Sequence, residues 1–160
     1  MIEDKAKKFQ KYIKKGIVKP IDRTVIAISG VLLPYRFSPR IPPEIVRAVY
    51  AVSDITLEIH RETRQVIDSY LPYKDRVRKA AGVEVETDIF LTDKCSHISA
   101  LLYGESDWVN PVSPPGHEFK IMHNSCAESK LPDGWFPHGH EYWLRDQLRL
   151  ESKNHNAGDA

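Results

Sequence analysis

Apolar residues recur at helical spacing at the start of the chain. The stripe consists of Ile2, Ala6, Phe9, Ile13 and Ile17. Lysines fill most of the positions between them. This pattern predicts an amphipathic helix over residues 2–15. Gly16 suits the left-handed residue that follows a helix, and the lysines of the last turn favour the helix dipole.

The rest of the chain alternates between strand-like and helix-like patterns. The run 24–33 (TVIAISGVLL) is continuously apolar and rich in β-branched residues, which predicts a strand covered on both faces. The segment PPEIVRAVY predicts a short helix that begins at its prolines. Residues 55–70 alternate on both sides of a polar turn and predict a β-hairpin. Residues 97–103 and 118–123 predict two further strands of the buried type.

Strands of these kinds, mixed with helices, define the expected fold class. We predict an α/β (or α+β) fold with a single mixed β-sheet, flanking helices and a β-hairpin. Residues 1–150 are long enough to bury a core as one domain. Residues 151–160 (ESKNHNAGDA) are polar, and we predict a disordered tail there.

Composition places the chain among ordinary globular proteins, with 41% hydrophobic and 28% charged residues. It contains no apolar run of bilayer-spanning length, no signal sequence and only two cysteines, so we expect a cytoplasmic protein without a membrane partner. Residues 1–50 carry eleven Lys and Arg against four acids. That asymmetry permits an anionic partner, but no basic run is interleaved with aromatics, so nucleic-acid binding has no support.

Histidines 138 and 140 have a spacing that suits a metal site. On one strand the two imidazoles share a face roughly 6 to 7 Å apart. Such a pair can hold zinc if a third ligand, such as Glu141, His123 or Cys126, folds nearby. Two ligands form half a site, and a glycine-linked turn also explains His138 and His140. We therefore expect no metal, and keep His138, His140 and Glu141 as the candidate ligands.

The tripeptide Glu118-Phe119-Lys120 matches one half of a restriction-endonuclease constellation. In that chemistry a carboxylate and a lysine on one strand face hold a divalent metal and activate water, together with an Asp from an earlier strand. Asp88 or Asp107 is the candidate for that Asp. A solvated strand face accounts for the tripeptide as well, so both interpretations stay open.

A proline- and glycine-containing turn at residues 131–137 follows the last predicted strand. Pro132 fixes φ, and Gly134 permits a left-handed conformation. We expect this turn to point Trp135 back at the sheet, where a buried indole would close the edge of the core.

Several segments resemble the C-terminal half of a family of uncharacterised bacterial proteins. They are KGIVKPIDRTVIAISG, IPPEIVRAVY, IHRETRQVIDS, HISALLYGESDWVNP and FKIMHNSCAESKLPDGWFPHGHEYW. Longer members of that family have an additional N-terminal half that suggests a PD-(D/E)xK nuclease core. This sequence differs by starting at the connecting helix and by having Ser125 and Cys126 where the family has proline and a small or polar residue.

The resemblance implies a non-catalytic binding or assembly domain, a shortened or split member of its family. The alternative is a metal-dependent nuclease or other hydrolase of restriction-endonuclease-like type. The first function needs no cofactor, whereas the second needs a divalent metal. The apolar stripe of the N-terminal helix predicts a protein partner or a homodimer, unless the helix folds back across its own sheet.

Overall fold

The structure is a computed structural model that describes residues 2–31, 41–78, 82–106, 118–145 and 149–155. The chain divides into two compact units, where the sequence predicted one domain over residues 1–150. The larger unit contains residues 1–37 and 90–160, and the smaller contains residues 38–89.

The described residues of the larger unit form five strands, preceded by an α-helix. Its elements are α1 (Ile2–Lys14), β1 (Val25–Ser29), a 3-10 turn (Asp93–Cys95), β6 (Ala100–Gly104), β7 (Lys120–His123), β8 (His140–Arg145) and β9 (Arg149–Asn154). The smaller unit comprises α2 (Glu44–Tyr50), the hairpin of β2 (Thr56–Ile59) and β3 (Val66–Tyr70), and the pair β4 (Arg76–Arg78) and β5 (Glu84–Glu86).

The five-stranded sheet has the order β1-β6-β7-β8-β9. Strands β1 and β6 are parallel, as are β7 and β8, whereas β6–β7 and β8–β9 are antiparallel. The predicted fold class, a mixed sheet with helices and a hairpin, is confirmed. The predicted hairpin over 55–70 is formed by the antiparallel strands β2 and β3, and the predicted short helix is α2.

The strand register assigns side chains to the two faces of this sheet. Ala100 lies opposite His123, and Ile121 lies opposite Glu141. Because side chains alternate along a strand, these residues and Trp143 share one face, which we call the His123 face. The opposite, Lys120 face presents Leu101, Tyr103, Lys120, His140 and Tyr142. Neighbouring residues of β8 therefore belong to two different chemical environments.

Strand β1 is not covered on both faces, so that prediction is wrong. Ile26 and Ile28 are buried, whereas Ala27 and Ser29 are exposed. The physical reason is that only one face of β1, that of Ile26 and Ile28, packs against other parts of the chain. Strand β8 lies between two neighbours, and four of its consecutive residues are buried instead.

Helix α1 ends one residue before the predicted boundary, and Gly16 has the left-handed φ of 70°. Ala6 is buried, and its carbonyl accepts a hydrogen bond from His97 Nε2 at 2.8 Å. Ile2, Phe9 and Ile13 are half-buried. Ile17, the last residue of the stripe, is 66% exposed. The helix itself contacts its own unit at β1, and association through this helix stays a prediction.

The predicted tail beginning at residue 151 is wrong for residues 151–154. They belong to β9, which pairs with β8 from Arg149 to Asn154. Most of β9 is exposed because it is the outer strand of the sheet, so its polar composition is compatible with an edge strand.

Gly139 stands where only glycine fits. Its φ is 96°, and a Cβ there would lie 2.7 Å from the carbonyl oxygen of Phe119 and 2.9 Å from its Cβ. The close approach follows from pairing at the start of β7 and β8, where His140 N donates to Phe119 O at 2.8 Å.

We predict that Gly139→Ala destabilises the protein more than Gly16→Ala. Both substitutions force an L-residue into positive φ, at about 1–2 kcal/mol. A Cβ at Gly16 meets nothing within 4 Å, whereas at residue 139 it must displace the β7 backbone. Urea denaturation of the two variants measures the difference in free energy of unfolding. Equal losses would contradict the steric argument.

Candidate functional site

A fully buried carboxylate occupies the centre of the His123 face. Glu141 has 0% of its surface exposed. Its Oε1 lies 3.1 Å from His123 Nε2, and its Oε2 lies 2.7 Å from His155 Nε2. Oε2 also accepts a hydrogen bond from the backbone N–H of Gly134 at 3.0 Å. Three separate segments of the chain thus meet at one side chain.

Strand pairing brings these three groups together. The register of β7 and β8 sets Ile121 opposite Glu141, so His123 is two residues along on the same face. Antiparallel pairing of β8 and β9 returns the chain to residue 155, whose N–H donates to Gly139 O at 3.0 Å. His155 therefore reaches Glu141 from the edge strand, while His123 reaches it from the centre of the sheet.

The chemistry of the cluster follows from the limits of a carboxylate. An ionised carboxylate only accepts hydrogen bonds, so an N–H at Nε2 of either imidazole can donate to Glu141. A buried carboxylate needs such donors because it has lost its hydration. His123 also stacks on Trp143, with ring centroids 5.0 Å apart and planes 16° from parallel. The imidazole of His123 is consequently held in position by both Glu141 and Trp143.

A cleft of about 590 Å³ opens beside His123. Its polar and charged walls come from Asn124, Cys126, Lys130, Asp133 and Arg145, and Leu131, Trp143 and Leu144 add apolar surface. Every lining residue belongs to the larger unit. The volume falls in the range of small-molecule sites, and the walls are more polar than those of most such sites.

The carboxylate of Asp133 in the cleft wall is bonded to two neighbouring side chains. Asp133 accepts a hydrogen bond from Trp143 Nε1 at 2.9 Å and another from Arg145 at 2.9 Å. Lys130, by contrast, makes no hydrogen bond or ion pair through its ammonium group within the described part of the chain. Among the described residues, none compensates the charge of this basic side chain.

The loop after β7 is held by a buried amide. Asn124 donates through Nδ2 to the carbonyls of Cys95 and Ile98, at 2.9 and 2.8 Å. Its Oδ1 accepts from the N–H of Cys126 at 2.9 Å. These bonds fix the half-buried Cys126 in the cleft wall.

The predicted metal ligands do not form the expected arrangement. His138 is exposed and lies outside any strand, because β8 begins at His140. His140 projects from the Lys120 face, whereas Glu141 is buried on the His123 face. The predicted strand geometry for His138 and His140 is therefore wrong. Among the described residues, no group of three or more His, Cys, Asp or Glu side chains is arranged to hold a metal ion.

The predicted nuclease residues are used in local contacts or lie elsewhere. Lys120 forms an ion pair with Glu105, and Glu118 accepts a hydrogen bond from Ser106 at 3.0 Å. Asp88 belongs to the smaller unit. Asp107 lies outside the described residues.

The turn at 131–137 has the predicted backbone but a different anchor. Gly134 has a φ of 74°, and the N–H of Trp135 donates to Pro132 O at 3.2 Å. Trp135 is 54% exposed, so its predicted burial is wrong. Leu131 and Phe136 pack on the sheet instead, against Ala100 and Ile121. The indole of Trp135 lies beside the Arg23 guanidinium, 5.7 Å from its ring centroid.

A second polar cluster lies on the Lys120 face. His140 stacks on Tyr142, and the ammonium of Lys120 lies 5.8 Å from the ring centroid of Tyr103. Burial, followed by the charges of Lys120 and His155, lowers the pKa of His140. Burial and the Glu105 carboxylate raise the pKa of Tyr142 to about 12. The neutral forms of both rings are favoured at neutral pH.

Sequence reasoning missed His155, and with it the role of Glu141. The residue lies in the segment predicted to be disordered, and its partner is 14 positions earlier. The usable signal was the short connection at residues 146–148, which allows the polar run RLESKN to return antiparallel to HEYWLR. That signal is weak because an edge strand needs no apolar alternation.

We predict that Glu141→Ala lowers the free energy of unfolding by about 3–5 kcal/mol, because two imidazoles and a backbone N–H lose their buried acceptor. Glu141→Gln keeps the shape and one acceptor oxygen, and should cost about 1–3 kcal/mol. Chemical denaturation provides the measurement. Glu128→Ala is the control, since Glu128 is exposed and accepts from Ser96 at the surface. An equal effect of the two alanine variants would contradict the role of Glu141.

We also predict a Tyr142-dependent loss of stability in alkali. The pKa of Tyr142 in the folded chain, about 12, lies above the ordinary value of about 10. Unfolded chains therefore release this proton first, so the stabilising contribution is complete below pH 10 and is lost as the pH rises towards 12. Phenolate absorbance during alkaline titration should show this high-pH step, and Tyr142→Phe should remove it. An unchanged titration curve in Tyr142→Phe would disprove the assignment.

No protein-family model matches the chain, and neither a curated protein nor a solved structure shows a significant match. No helix in the described ranges is long and apolar enough to cross a membrane. The resemblance noted from the sequence therefore remains a prediction, and the arrangement around Glu141 is the main guide to function.

Proposed function

We propose that this chain is a binding domain, without catalysis of its own, and that its cleft beside His123 takes a small anionic ligand. The observation that carries the proposal is the cleft itself, about 590 Å³ in volume and lined by polar, basic and aromatic side chains. Binding sites for small molecules combine apolar walls with a few fixed polar groups, and this cleft has both.

The charge of the walls supports an anionic ligand. Two basic residues and one acidic residue line the cleft, and the acid is already bonded to Arg145 and Trp143. Lys130 keeps an ammonium group that no described residue neutralises. A carboxylate or phosphate group is the ligand chemistry that such a site favours.

The rigidity of the walls supports binding as well. Glu141 and Trp143 fix the His123 ring, and Asn124 fixes the loop that carries Cys126. A wall whose side chains are already ordered loses less conformational entropy when a ligand arrives.

Nuclear magnetic resonance spectra of the isotope-labelled chain test the proposal. We expect phenyl phosphate and benzoate to shift the indole signal of Trp143, which Trp143→Phe identifies, and neutral benzamide to leave it unchanged. Lys130→Met should weaken binding of the anions about tenfold, the loss of one charged hydrogen bond. Lys11→Met provides the matched control, because Lys11 lies on α1 outside the cleft.

Two results would contradict the proposal. One is an indole signal that none of the anions shifts. The other is binding that Lys130→Met and Lys11→Met weaken equally. Thermal melting of each variant separates lost binding from lost folding.

A cytoplasmic location belongs to the same proposal. Both cysteines are free thiols, the state that the cytosol maintains. Membership of the bacterial family that the sequence resembles is also part of the proposal.

The restriction-endonuclease-like hydrolase stays an untested alternative. Cleavage of DNA that depends on a divalent metal and is lost in Lys120→Ala would favour it.

A further inference from the structure

Aliphatic side chains of the β2–β3 hairpin are exposed. About half of each side chain is accessible, from 46% to 59%, for Ile55, Leu57, Ile59, Val66 and Ile67. Leu57 and Ile59 alternate with Glu58 along β2, and Ile55 continues the alternation. Val66 lies opposite Ile59, after a register shift between Glu58 and Ile59 that leaves Ile67 as the extra residue of β3. Contiguous exposed apolar surface of this kind marks an interaction site more often than single exposed residues do.

The β2–β3 hairpin also has no third strand within the described residues. Among the described residues β2 pairs only with β3, and the two form a sheet of their own. A two-stranded hairpin is marginally stable in water, and a third strand or another layer usually completes it. The outer edge of β2 is therefore a template for pairing with another extended segment.

The sequence around β2 is complementary to itself. If two copies of β2 pair antiparallel about a two-fold axis at Leu57, each Leu57 meets the other. Ile55 of one copy then lies opposite Ile59 of the second copy. All three aliphatic residues of each strand join one continuous apolar face, which a shift by one residue would destroy.

Like charges do not face each other in the same register. Glu58 lies opposite Thr56 of the second copy, so the two Glu58 carboxylates do not face each other. Asp54 lies opposite His60 of the second copy and keeps its ion pair with Arg47 of its own chain, 2.8 Å away. Like charges directly opposite destabilise a sheet, and this register avoids them.

We propose that β2 is a homodimer interface, at which two copies of this chain pair edge to edge in antiparallel orientation about Leu57. The pairing converts two hairpins into one four-stranded sheet with a shared apolar face. The proposal is independent of the cleft beside His123.

Disulfide trapping tests the register directly, in a Cys126→Ser background that removes the partly accessible native thiol. In Leu57→Cys the two Cα atoms would lie about 4.5–5.5 Å apart, within the range of a disulfide. In Glu58→Cys they would lie about 8 Å apart, beyond that range. We expect rapid oxidation of the first variant to a covalent dimer and slow oxidation of the second.

Light scattering on the full chain over a dilution series provides the second measurement. We expect twice the mass of one chain, falling to one chain's mass in Leu57→Lys. Val83→Lys is the matched control, because Val83 has 58% exposure in the same unit but lies outside the hairpin. Circular dichroism confirms that both variants are folded.

Three outcomes would overturn the proposal. A monomer at every concentration would do so, as would equal crosslinking of the two cysteine variants. A dimer that persists in Leu57→Lys would also overturn it, since association would then use another surface, such as helix α1. Covalent dimer in Leu57→Cys alone, with loss of mass in Leu57→Lys alone, is the result that supports it.

Discussion

Removal of the Glu141 carboxylate from water is the constraint on which the larger unit depends. A buried charge is tolerated only where donors replace its lost hydration. Here the donors come from the end of β7, from the turn before β8 and from the residue after β9. The sheet, the turn and the returning strand must therefore assemble together. Apolar packing alone would not require these three segments to meet at one carboxylate.

Alternation along β8 separates the chemistry of the two sheet faces. Glu141 and Trp143 project to one side, and His140 and Tyr142 to the other. On the His123 face the carboxylate orders an imidazole and the wall of a cleft. On the Lys120 face lie the Lys120–Glu105 ion pair and the stacked rings of His140 and Tyr142. The interpretation of residues 138–141 as one metal site fails because adjacent strand residues cannot share a face.

The smaller unit has a different arrangement of strands and buried side chains. Its helix α2 buries Val46, Val49 and Tyr50, and among its described residues the strands form two separate pairs. The hairpin consequently retains apolar side chains that neither strand can cover. In the larger unit the unpaired edges are occupied by β1, half-covered, and by polar β9. The exposed apolar edge of β2 is accordingly the surface at which we propose association.

The sequence by itself determined some of the local elements. Periodicity located α1, the hairpin and the short helix α2, and the φ values of Gly16 and Gly134 follow from turn chemistry. Only the tertiary structure decided how many strand faces are covered, because burial depends on the neighbours of a strand and not on its own residues. It likewise decided that Leu131 and Phe136, rather than Trp135, anchor the turn. Glu141 was visible as a candidate ligand, but its partner His155 was not, since the contact exists only after a polar segment has paired as β9.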